Sequence, residues 1–581
     1  MSVTTLLPPT SAEPVGTTPS SRPRRRGGRD LTLVALVAAV GLLLFVLIGL
    51  PLIRILAVSF SPEGWSIVSS MLTNKVNRGI LWNTIQLGII VSILGTAVGF
   101  VMAYAQVRLK FRGKKVLHLI SLMPIVSPPF AIATAVITLF GRNGMISNKV
   151  FGLDIDIYGL KGLTLVLTIS FFPVAYMNLK GMLESLDPSL DEAASNLGAN
   201  KFKIFTSVTL PMLVPGIAGS ILLLFVESIA DLANPLVLGG DYTVLSSRAY
   251  LAITGEYNVA GGAAYSLVLL IPALSVFLIQ RYWVGRKNVV TVTGKPAGSP
   301  ELITAPSLRI PILTAAVIIS ALVVLMYLTV VVGGFVKIFG VNNDFTWAHY
   351  KFVLAGIGSD AMFTTTILAL IATPIAGILG MLIAWLVVRK LKRTAGLMDF
   401  VGMMGLAVPG TVIGIGYAIA FNTPTIFGGR QWFPAVAGGS AIFGGAMAIV
   451  MVFVARSLPS GQRSGIAALQ QINPAIDEAS TSLGANSFTT FRTVTLPLIR
   501  PALVAGLTYA FARSMTTLSP IVFITTPQTK IMTSQILAEV DAGRFGNAFA
   551  YCAILIVIVL SFIGLLNLIT LHPSLRGIQR R

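Results

Sequence analysis

The chain has 581 residues, of which 55% are hydrophobic and 11% charged, and its mean hydropathy of +0.84 excludes a soluble domain of this length. Its net charge of +21 comes from Lys and Arg in short runs between apolar segments, such as 108–115 and 389–393, which indicates membrane topology and not nucleic-acid binding. The single cysteine, Cys552, excludes an internal disulfide, and the three scattered histidines exclude a histidine metal cluster, so we expect no metal site.

The chain begins with a segment that is not expected to fold. Residues 1–30 are rich in Pro, Ser and Thr and end in a basic run, so they predict a disordered cytoplasmic tail. The apolar run that follows is too long for the core of a signal peptide and has no small-residue cleavage site. We therefore expect it to remain as the first membrane helix.

Apolar stretches of about 20 residues, the length that crosses a bilayer, occur six times in each half of the chain. We therefore expect an all-α polytopic membrane protein with about twelve transmembrane helices in two parallel, pseudo-symmetric halves. The predicted spans are 31–58, 80–107, 116–141, 162–182, 213–239 and 262–283, then 309–335, 361–388, 398–422, 435–457, 499–525 and 548–571.

Charge and linker composition set the domain organisation. With the N-terminus inside, every basic run, including 281–287 and 576–581, falls on the cytoplasmic side. The expected domains are a first half at 31–287, a cytoplasmic linker rich in Gly, Pro and Ser at 288–308, a second half at 309–573 and a basic tail at 574–581, with both termini cytoplasmic.

A polar stretch is repeated in the two halves. Residues 187–216 read DPSLDEAASNLGANKFKIFTSVTLPMLVPG, and residues 473–502 read NPAIDEASTSLGANSFTTFRTVTLPLIRPA. The copies align without a gap and share Asp191/Asp477, Glu192/Glu478, Leu197/Leu483, Gly198/Gly484, Phe205/Phe491, Leu210/Leu496, Pro211/Pro497 and Pro215/Pro501. A polar sequence kept twice in an apolar chain predicts two docking sites for one kind of partner.

This repeat resembles the signature loop of the membrane subunits of bacterial ABC importers. That loop has Glu-Ala-Ala, three residues, Gly, nine residues, an aliphatic residue, any residue and Leu-Pro. The first copy fits throughout, from Glu192-Ala193-Ala194 to Leu210-Pro211, and the second departs only in having Ser480 for the second Ala. The stretches 81–108 and 362–389 also look like the second core helix of such permeases, so the resemblance covers nearly everything after residue 30 and implies the type I ABC importer fold.

The loop chemistry fits a short docking helix. Carboxylates in the first turn favour a helix N-terminus, so we expect a helix from Asp191 to Phe202, with Gly198 allowing a bend or a close approach. The alternative is that the carboxylates and the glycine merely cap a loop helix. The resemblance implies that this coupling helix sits in a cleft of the ATP-binding subunit, and the corresponding residues are Asp191, Glu192, Ala193, Gly198, Asp477, Glu478, Ala479 and Gly484.

The energy source is expected on another chain. No stretch fits the P-loop pattern, because Gly294-Lys295 is followed by Pro296 and Gly113-Lys114 lacks the upstream Gly. We therefore expect a non-catalytic subunit that binds no cofactor itself. The resemblance implies two copies of an ATP-binding cassette subunit, which would hold ATP and Mg²⁺, and an extracytoplasmic substrate-binding protein, in the bacterial cytoplasmic (inner) membrane with lipid around the chain.

The fifth predicted helix of each half carries charge. The repeat register places Glu227 opposite Arg513, and helical spacing puts Glu227, Asp231 and Asn234 on one face, as an acidic stripe. Charged groups inside a bilayer are costly unless they face a pore or one another, which favours a role in the translocation pathway. We therefore expect Glu227 and Arg513 to form a pair, with Asp231 as a competing partner for Arg513. The second-half candidates are Arg513, Ser514 and Thr517. The alternative is that all of these residues lie at the outer interface.

The sequence is compatible with several substrates, of which ferric iron is the one we expect. Stretches 227–253 and 341–354 look most like the ferric-iron permeases, and acidic oxygen ligands suit a hard trivalent cation. A protonated amine such as a polyamine would suit the stripe equally, and thiamine, phosphonate and hexose-phosphate importers share the architecture. An ion-coupled secondary transporter is the distant alternative. It would have no reason to keep two docking loops.

Overall fold

A computed structural model describes residues 31–284, 302–356, 358–427 and 430–571. In this part of the chain, ten helices are long and apolar enough to cross a membrane, and two sharply bent pairs bring the number to as many as twelve. The ten are Leu31–Ser59, Lys75–Arg108, Phe130–Val150, Leu160–Ser185, Lys201–Ala230, Val259–Tyr282, Pro306–Gly333, Ser359–Lys390, Ile442–Gln470 and Phe545–Leu568. The predicted all-α fold of two six-helix halves is confirmed.

The third helix of each half is broken at proline. In the first half, helix Lys114–Val126 is followed by Phe130–Phe140, with Ser127 to Pro129 between them. In the second half, Ala395–Ala407 and Gly410–Phe421 meet at 100° around Pro409. Proline disfavours helical geometry in the residue before it and lacks an amide proton, so both breaks occur where the sequence requires them.

Three predicted spans have wrong boundaries. The fifth helices were expected at 213–239 and 499–525, but they end at Ala230 and Thr516, where the next residue is extended. The apolar residues beyond these ends form separate short segments. The span expected at 435–457 is the helix Ala446–Gln470, because Gly445, at φ +88°, ends the preceding loop in a conformation that favours glycine. The second of the bent pairs, Ser487–Leu498 with Arg500–Thr516, turns by 83°.

Shorter elements lie between the long helices. Two antiparallel hairpins pair Val336–Ile338 with Asn342–Phe345 and Thr425–Phe427 with Arg430–Phe433. The short helical segments are Pro62–Thr73, Met145–Val150, Pro188–Asn196, Lys201–Ile204, Ala233–Leu238, Leu245–Thr254, Ala348–Ala355, Ile442–Gly445, Ala475–Ser482, Ser487–Thr490, Ile521–Phe523 and Met532–Asp541.

Each half is built on close contact between its second and fourth helices. A Cβ atom on Gly99 would lie 2.8 Å from the amide nitrogen of Tyr176, and one on Gly380 would lie 2.8 Å from that of Gln462. Both distances are shorter than a carbon and a nitrogen tolerate, so only glycine allows these helices to approach so closely. The duplication therefore preserves packing as well as sequence.

The first helix of each half packs on the broken helix of the other half. The Tyr417 hydroxyl donates to the Leu47 carbonyl (2.8 Å), and the Tyr327 hydroxyl lies 2.6 Å from the Ser127 hydroxyl, at the break of the third helix. The halves are interlocked as a result, and the two breaks lie at their interface.

Several predicted boundaries fall on residues that the structure does not describe. These are the tail 1–30, the tail 574–581 and most of the linker 288–308. The described end of the linker pairs with the first half, since the Ile303 amide donates to the Arg108 carbonyl at 2.8 Å. The first helix of the second half then begins at Pro306, inside the predicted linker.

Candidate coupling surface and central cavity

The two repeated loops fold into the same short motif, which we call the coupling helices: Pro188–Asn196 and Ala475–Ser482. Asp187 and Asn473 cap them by accepting the amides of Ser189 and Ala475, both at 3.0 Å. Each ends at a glycine in the left-handed region, Gly198 at φ +82° or Gly484 at φ +90°. The expected helix to Phe202 is therefore wrong at its end: the glycine closes it, and a new helix begins at Lys201.

The outward faces of the two coupling helices match. Glu192, Ala193, Glu478 and Ala479 are exposed in the described chain. So are Leu197 and Leu483, each 89% exposed directly before its glycine. A Cβ atom on Gly198 or Gly484 would meet nothing within 4 Å, so these glycines are required by backbone conformation and not by packing inside the chain.

Sequence reasoning did not assign the two leucines to the coupling site. The signal that could have found them was their identity in both copies. A large apolar side chain that is almost fully exposed at the same place in both copies is typical of a protein interface.

Asp191 and Asp477 do not share this outward face. Asp191 forms an ion pair with Arg108, and Asp477 with Arg389 (Nε to Oδ2, 3.3 Å). The aspartate side chains are 15% and 13% exposed, and the arginines 6% and 8%. These aspartates were grouped with the ATPase-coupling residues, but their carboxylates point into the chain because each meets an arginine at the end of a second helix.

A second candidate site is a cavity of about 170 Å³ between the halves, which we call the central cavity. Of the predicted pathway residues, those that line it are Glu227, Asp231, Asn234, Arg513 and Thr517. Ser514 does not line it; its hydroxyl lies 3.3 Å from that of Ser457 in the interior of the second half. Pro124, Pro128 and Pro129, at the first-half break, complete one side.

The predicted partners Glu227 and Arg513 lie close together. Their Oε2 and Nη2 atoms are 3.8 Å apart, and each side chain is about a quarter exposed, at 25% and 26%. The pair joins the fifth helices of the two halves across the cavity. Thr517 lies at the end of the same helix as Arg513, where its hydroxyl donates to the Arg513 backbone carbonyl at 2.5 Å.

The acidic stripe is not one continuous helical face. The helix ends at Ala230, and Asp231 accepts hydrogen bonds from the backbone amide and side chain of Asn234, at 3.0 and 2.9 Å. Asp231 therefore caps the short helix Ala233–Leu238 instead of competing for Arg513. The three residues still reach the same cavity, because the chain turns around it.

Arg456 is a cavity residue that the sequence reasoning missed. It lies in the fourth helix of the second half, and its Nη1 donates to the carbonyls of Gly405 (2.8 Å) and Val408 (3.0 Å) at the break of the bent third helix. Its counterpart in the repeat register is Ser170, which also lines the cavity. One wall therefore carries two carboxylates and the other two guanidinium groups.

A larger opening of about 1200 Å³, which we call the vestibule, lies at the other end of the molecule from the coupling helices. The helix Leu160–Ser185 begins at the vestibule and leads into the first coupling helix, and its 26 residues span roughly 39 Å. Both halves line the vestibule, through Arg142 and Asp156 of the first and Lys337 of the second.

Two carboxylates at the vestibule end are held in their charged form. The Tyr158 amide and the Arg142 guanidinium lower the pKa of Asp156. Burial alone would raise the pKa of Glu539, but hydrogen bonds from Arg544 (2.6 and 3.0 Å) and Asn547 (2.9 Å) lower it.

A metal site needs several ligating side chains close together. Within the described ranges, His, Cys, Asp and Glu side chains form no group of three or more that could hold a metal ion. Cys552 is buried in the last helix. The carboxylates of the central cavity are instead held by an arginine and an asparagine.

Comparison with known proteins identifies relatives that match about nine-tenths of the chain and a relative that matches about a third of it. The ferric transport system permease protein FbpB of Actinobacillus pleuropneumoniae is 32% identical over 548 residues, which cover 92% of this chain and 78% of that protein. The Fe(3+)-transport system permease protein FbpB 2 of Haemophilus influenzae is 24% identical over 89% of this chain and 95% of its own length. The molybdenum transport system permease protein ModB of Escherichia coli is 26% identical over 35% of this chain and 93% of its own length.

The family domain occurs twice. The model of the binding-protein-dependent transport system inner membrane component matches residues 95–289 and 376–576, one match in each six-helix half. Each match contains one coupling helix, one fifth helix and one wall of the central cavity. The chain therefore belongs to the binding-protein-dependent transport system inner membrane components, as a double-length permease subunit of an ABC importer.

Proposed function

We propose that one copy of this chain forms the whole translocation unit of an ATP-driven importer and docks two ATP-binding cassette subunits, one on each coupling helix. The observation that carries the proposal is the matched outward face of the two coupling helices, with Glu192 and Leu197 in one and Glu478 and Leu483 in the other. A face kept twice in this detail fits two copies of one partner. ATP, Mg²⁺ and hydrolysis then belong to the partner, and this chain holds no cofactor.

Membrane orientation follows from the same proposal. The end that carries the coupling helices also carries basic residues at or just after the ends of the second helices, including Lys110, Arg112, Arg389 and Lys390. We place this end and both termini in the cytoplasm. The vestibule then opens outward, toward an extracytoplasmic binding protein. A reporter fused after residue 571 tests the orientation, and an extracytoplasmic reporter signal would contradict it.

The proposed substrate is ferric iron. Similarity to permeases named for ferric transport, over 92% and 89% of this chain, supports the proposal. The central cavity does not support it independently, because its two carboxylates face two arginines and it has no excess of oxygen ligands for a trivalent cation. Selectivity is accordingly assigned to the extracytoplasmic binding protein.

A second candidate substrate is an oxyanion. Arg456 and Arg513 both line the central cavity, and guanidinium groups suit oxyanions. Part of the chain also resembles permeases named for molybdenum and sulfate transport. The cation has the stronger support, because the relatives named for it match almost the whole chain.

Uptake into proteoliposomes separates these candidates. The chain is reconstituted with its ATPase subunits and its extracytoplasmic binding protein, and labelled ferric iron, molybdate and sulfate are offered in turn. ATP-dependent uptake of iron alone is the expected result. Uptake of an oxyanion without iron would replace the substrate assignment, and uptake driven by an ion gradient without ATP would contradict the importer itself.

A further inference from the structure

Each coupling helix is fastened to the membrane helices by an ion pair that the duplication has kept. Arg108 and Arg389 end corresponding second helices, and they bind Asp191 and Asp477 in the first turn of the respective coupling helix. All four side chains are at most 15% exposed. The same pair in the same place in both halves indicates a shared role.

The coupling helices have little else to hold them in place. Of the residues in Pro188–Asn196, only Pro188 is buried, and Ala475–Ser482 buries none. Their C-terminal ends are left-handed glycines, with no side chain to pack. Apolar burial therefore cannot fix these helices against the bundle, and a buried, charge-assisted contact is the strongest connection available to them.

The arginines lie on second helices that pack against the fifth helices, and the fifth helices line the central cavity. The second helix of the first half meets the fifth helix at Gly88, where a Cβ atom would lie 2.7 Å from side-chain atoms of both Phe225 and Ile229. These two residues flank Glu227, which faces Arg513. In the second half, Gly377 meets Leu507 in the same way. A contiguous path thus runs from coupling-helix aspartate to second-helix arginine, and from there to the fifth helix.

We propose that Arg108 and Arg389 are positioning residues that transmit movement of the coupling helices to the central cavity. This inference rests on the proposed function, since the movement comes from the ATPase subunits. With the ion pair intact, a displaced coupling helix pulls the end of the second helix and, through it, the fifth helix. Without it, the loop moves by itself, and ATP hydrolysis continues without opening the pathway.

The two ion pairs are not equally supported. Besides its ion pair, Arg389 donates from Nη2 to the carbonyl of Leu469 (2.9 Å), at the end of the fourth helix, and to that of Ile472. Asp477 also accepts the hydroxyl of Thr495 at 2.9 Å. These additional bonds keep the second aspartate and arginine in place when their mutual attraction is weakened. We therefore expect the first ion pair to be the more sensitive of the two.

The test compares Asp191→Asn and Asp477→Asn in the reconstituted complex. Two quantities are measured: the ATPase subunits retained on the purified chain, and the transport achieved per ATP hydrolysed. We expect both variants to retain both ATPase subunits, because Glu192, Leu197 and their counterparts are unchanged. Transport per ATP should fall at least tenfold for Asp191→Asn and about threefold for Asp477→Asn.

The matched control is Glu184→Gln, which breaks the exposed pair of Lys180 and Glu184 (3.1 Å) near the coupling end of the fourth helix. It should stay within twofold of wild type in both quantities, since exposed pairs contribute little. The exchange of Arg108→Asp with Asp191→Arg should recover at least a third of the lost transport per ATP. If Asp191→Asn does not fold, the exchange variant still tests the positioning role of the ion pair.

The outcomes distinguish the two proposals. Wild-type transport per ATP in Asp191→Asn, or a folded exchange variant with no recovery, would overturn the positioning role. Loss of ATPase subunits in proportion to transport would also overturn it, since the aspartate would then be a docking residue. Failure of the wild-type chain to retain any ATPase subunit would instead contradict the proposed function.

Discussion

The two halves of this permease agree at the coupling end and differ at the central cavity. At the coupling end, the glutamate, the exposed leucine, the left-handed glycine and the arginine–aspartate pair all occur twice. At the cavity, the equivalent positions carry Glu227 in one half and Arg513 in the other, and Ser170 of the first half corresponds to Arg456 of the second. This pattern is what the proposal of one partner docking twice requires of the coupling end, whereas nothing in it requires the cavity walls to match.

The difference shows what covalent fusion permits. In a symmetric pair of identical chains, a glutamate at position 227 would face a second glutamate across the axis, and like charges at short range repel. A fused chain can place a carboxylate on one side and a guanidinium on the other. The 3.8 Å pair of Glu227 and Arg513 is therefore available only because the halves have diverged.

The largest expected effect comes from reversing charge on both coupling helices. Glu192→Lys combined with Glu478→Lys should reduce the ATPase subunits recovered with the affinity-purified chain to below about a tenth of wild type, because both docking faces would repel a basic partner surface. Each single reversal should lose about half. Glu184→Lys serves as the control. Unchanged recovery of ATPase subunits in the double variant would refute the docking role. If the two single variants lost strongly unequal amounts of ATPase subunit, the two coupling helices would not be equivalent docking sites.

The next effect concerns the asymmetric pair. Glu227→Gln and Arg513→Gln should each leave one charge without its partner and raise ATPase activity in the absence of binding protein about fivefold. The expected rise in ATPase activity is moderate because both side chains are partly exposed, which reduces the free-energy cost of an unpaired charge. The exchange of Glu227→Arg with Arg513→Glu should return most of this ATPase activity to the wild-type level.

The control for that pair is Glu256→Gln, in an exposed ion pair with Arg248. A double-mutant cycle in ATPase activity measures the coupling between Glu227 and Arg513. Strictly additive effects would show that the two charges act separately, and the cavity walls would then be independent linings of the pathway.

A third prediction replaces Arg456 with serine, the residue type at the equivalent position, Ser170, of the first half. Arg456→Ser removes two hydrogen bonds to the carbonyls of Gly405 and Val408 and should destabilise the chain by about 3 kcal/mol, from about 1.5 kcal/mol for each charged donor. Thermal unfolding in detergent measures the loss. Arg456→Lys, which keeps the charge and can keep one bond, should recover part of it. Equal stability of wild type and Arg456→Ser would show that the helix break does not depend on this arginine.

The smallest effect is a pH dependence at the vestibule end. Because the pKa of Glu539 is lowered in the folded chain, its stabilisation is complete above the ordinary glutamate pKa and is lost as the pH falls through the lowered value. Glu539→Gln should lower the melting temperature by about 2 °C at neutral pH and by less in acid. A difference that stays constant down to the most acidic condition tolerated by the complex would contradict this assignment.

The sequence predicted the duplication, the fold class and the approach of Glu227 to Arg513, because these depend on a register that the repeat states directly. It did not predict that the helix ends at Ala230, since the apolar residues around Asp231 continue the hydrophobic run and hide its capping role. Arg456 was missed because it falls at the end of a span placed eleven residues early, where a basic residue is typical of the membrane surface.

The inward direction of Asp191 and Asp477 also could not be predicted from the loop sequence. Asp191 and Glu192 are adjacent carboxylates. The first is largely buried and the second exposed because Arg108, at the end of a helix distant in the sequence, lies beside Asp191. Neighbouring residues on a helix point about 100° apart, so Glu192 can face outward while Asp191 pairs with Arg108. Only the tertiary structure shows which carboxylate takes which direction.

Mass measurement of the intact detergent-solubilised complex tests the central claim most directly. If each half carries one coupling surface for the same partner, the complex should contain one copy of this chain and two ATPase subunits. It should lose one ATPase subunit on Glu192→Lys and the other on Glu478→Lys. A complex with two copies of this chain for each pair of ATPase subunits, or with a single ATPase subunit in the wild type, would contradict the account.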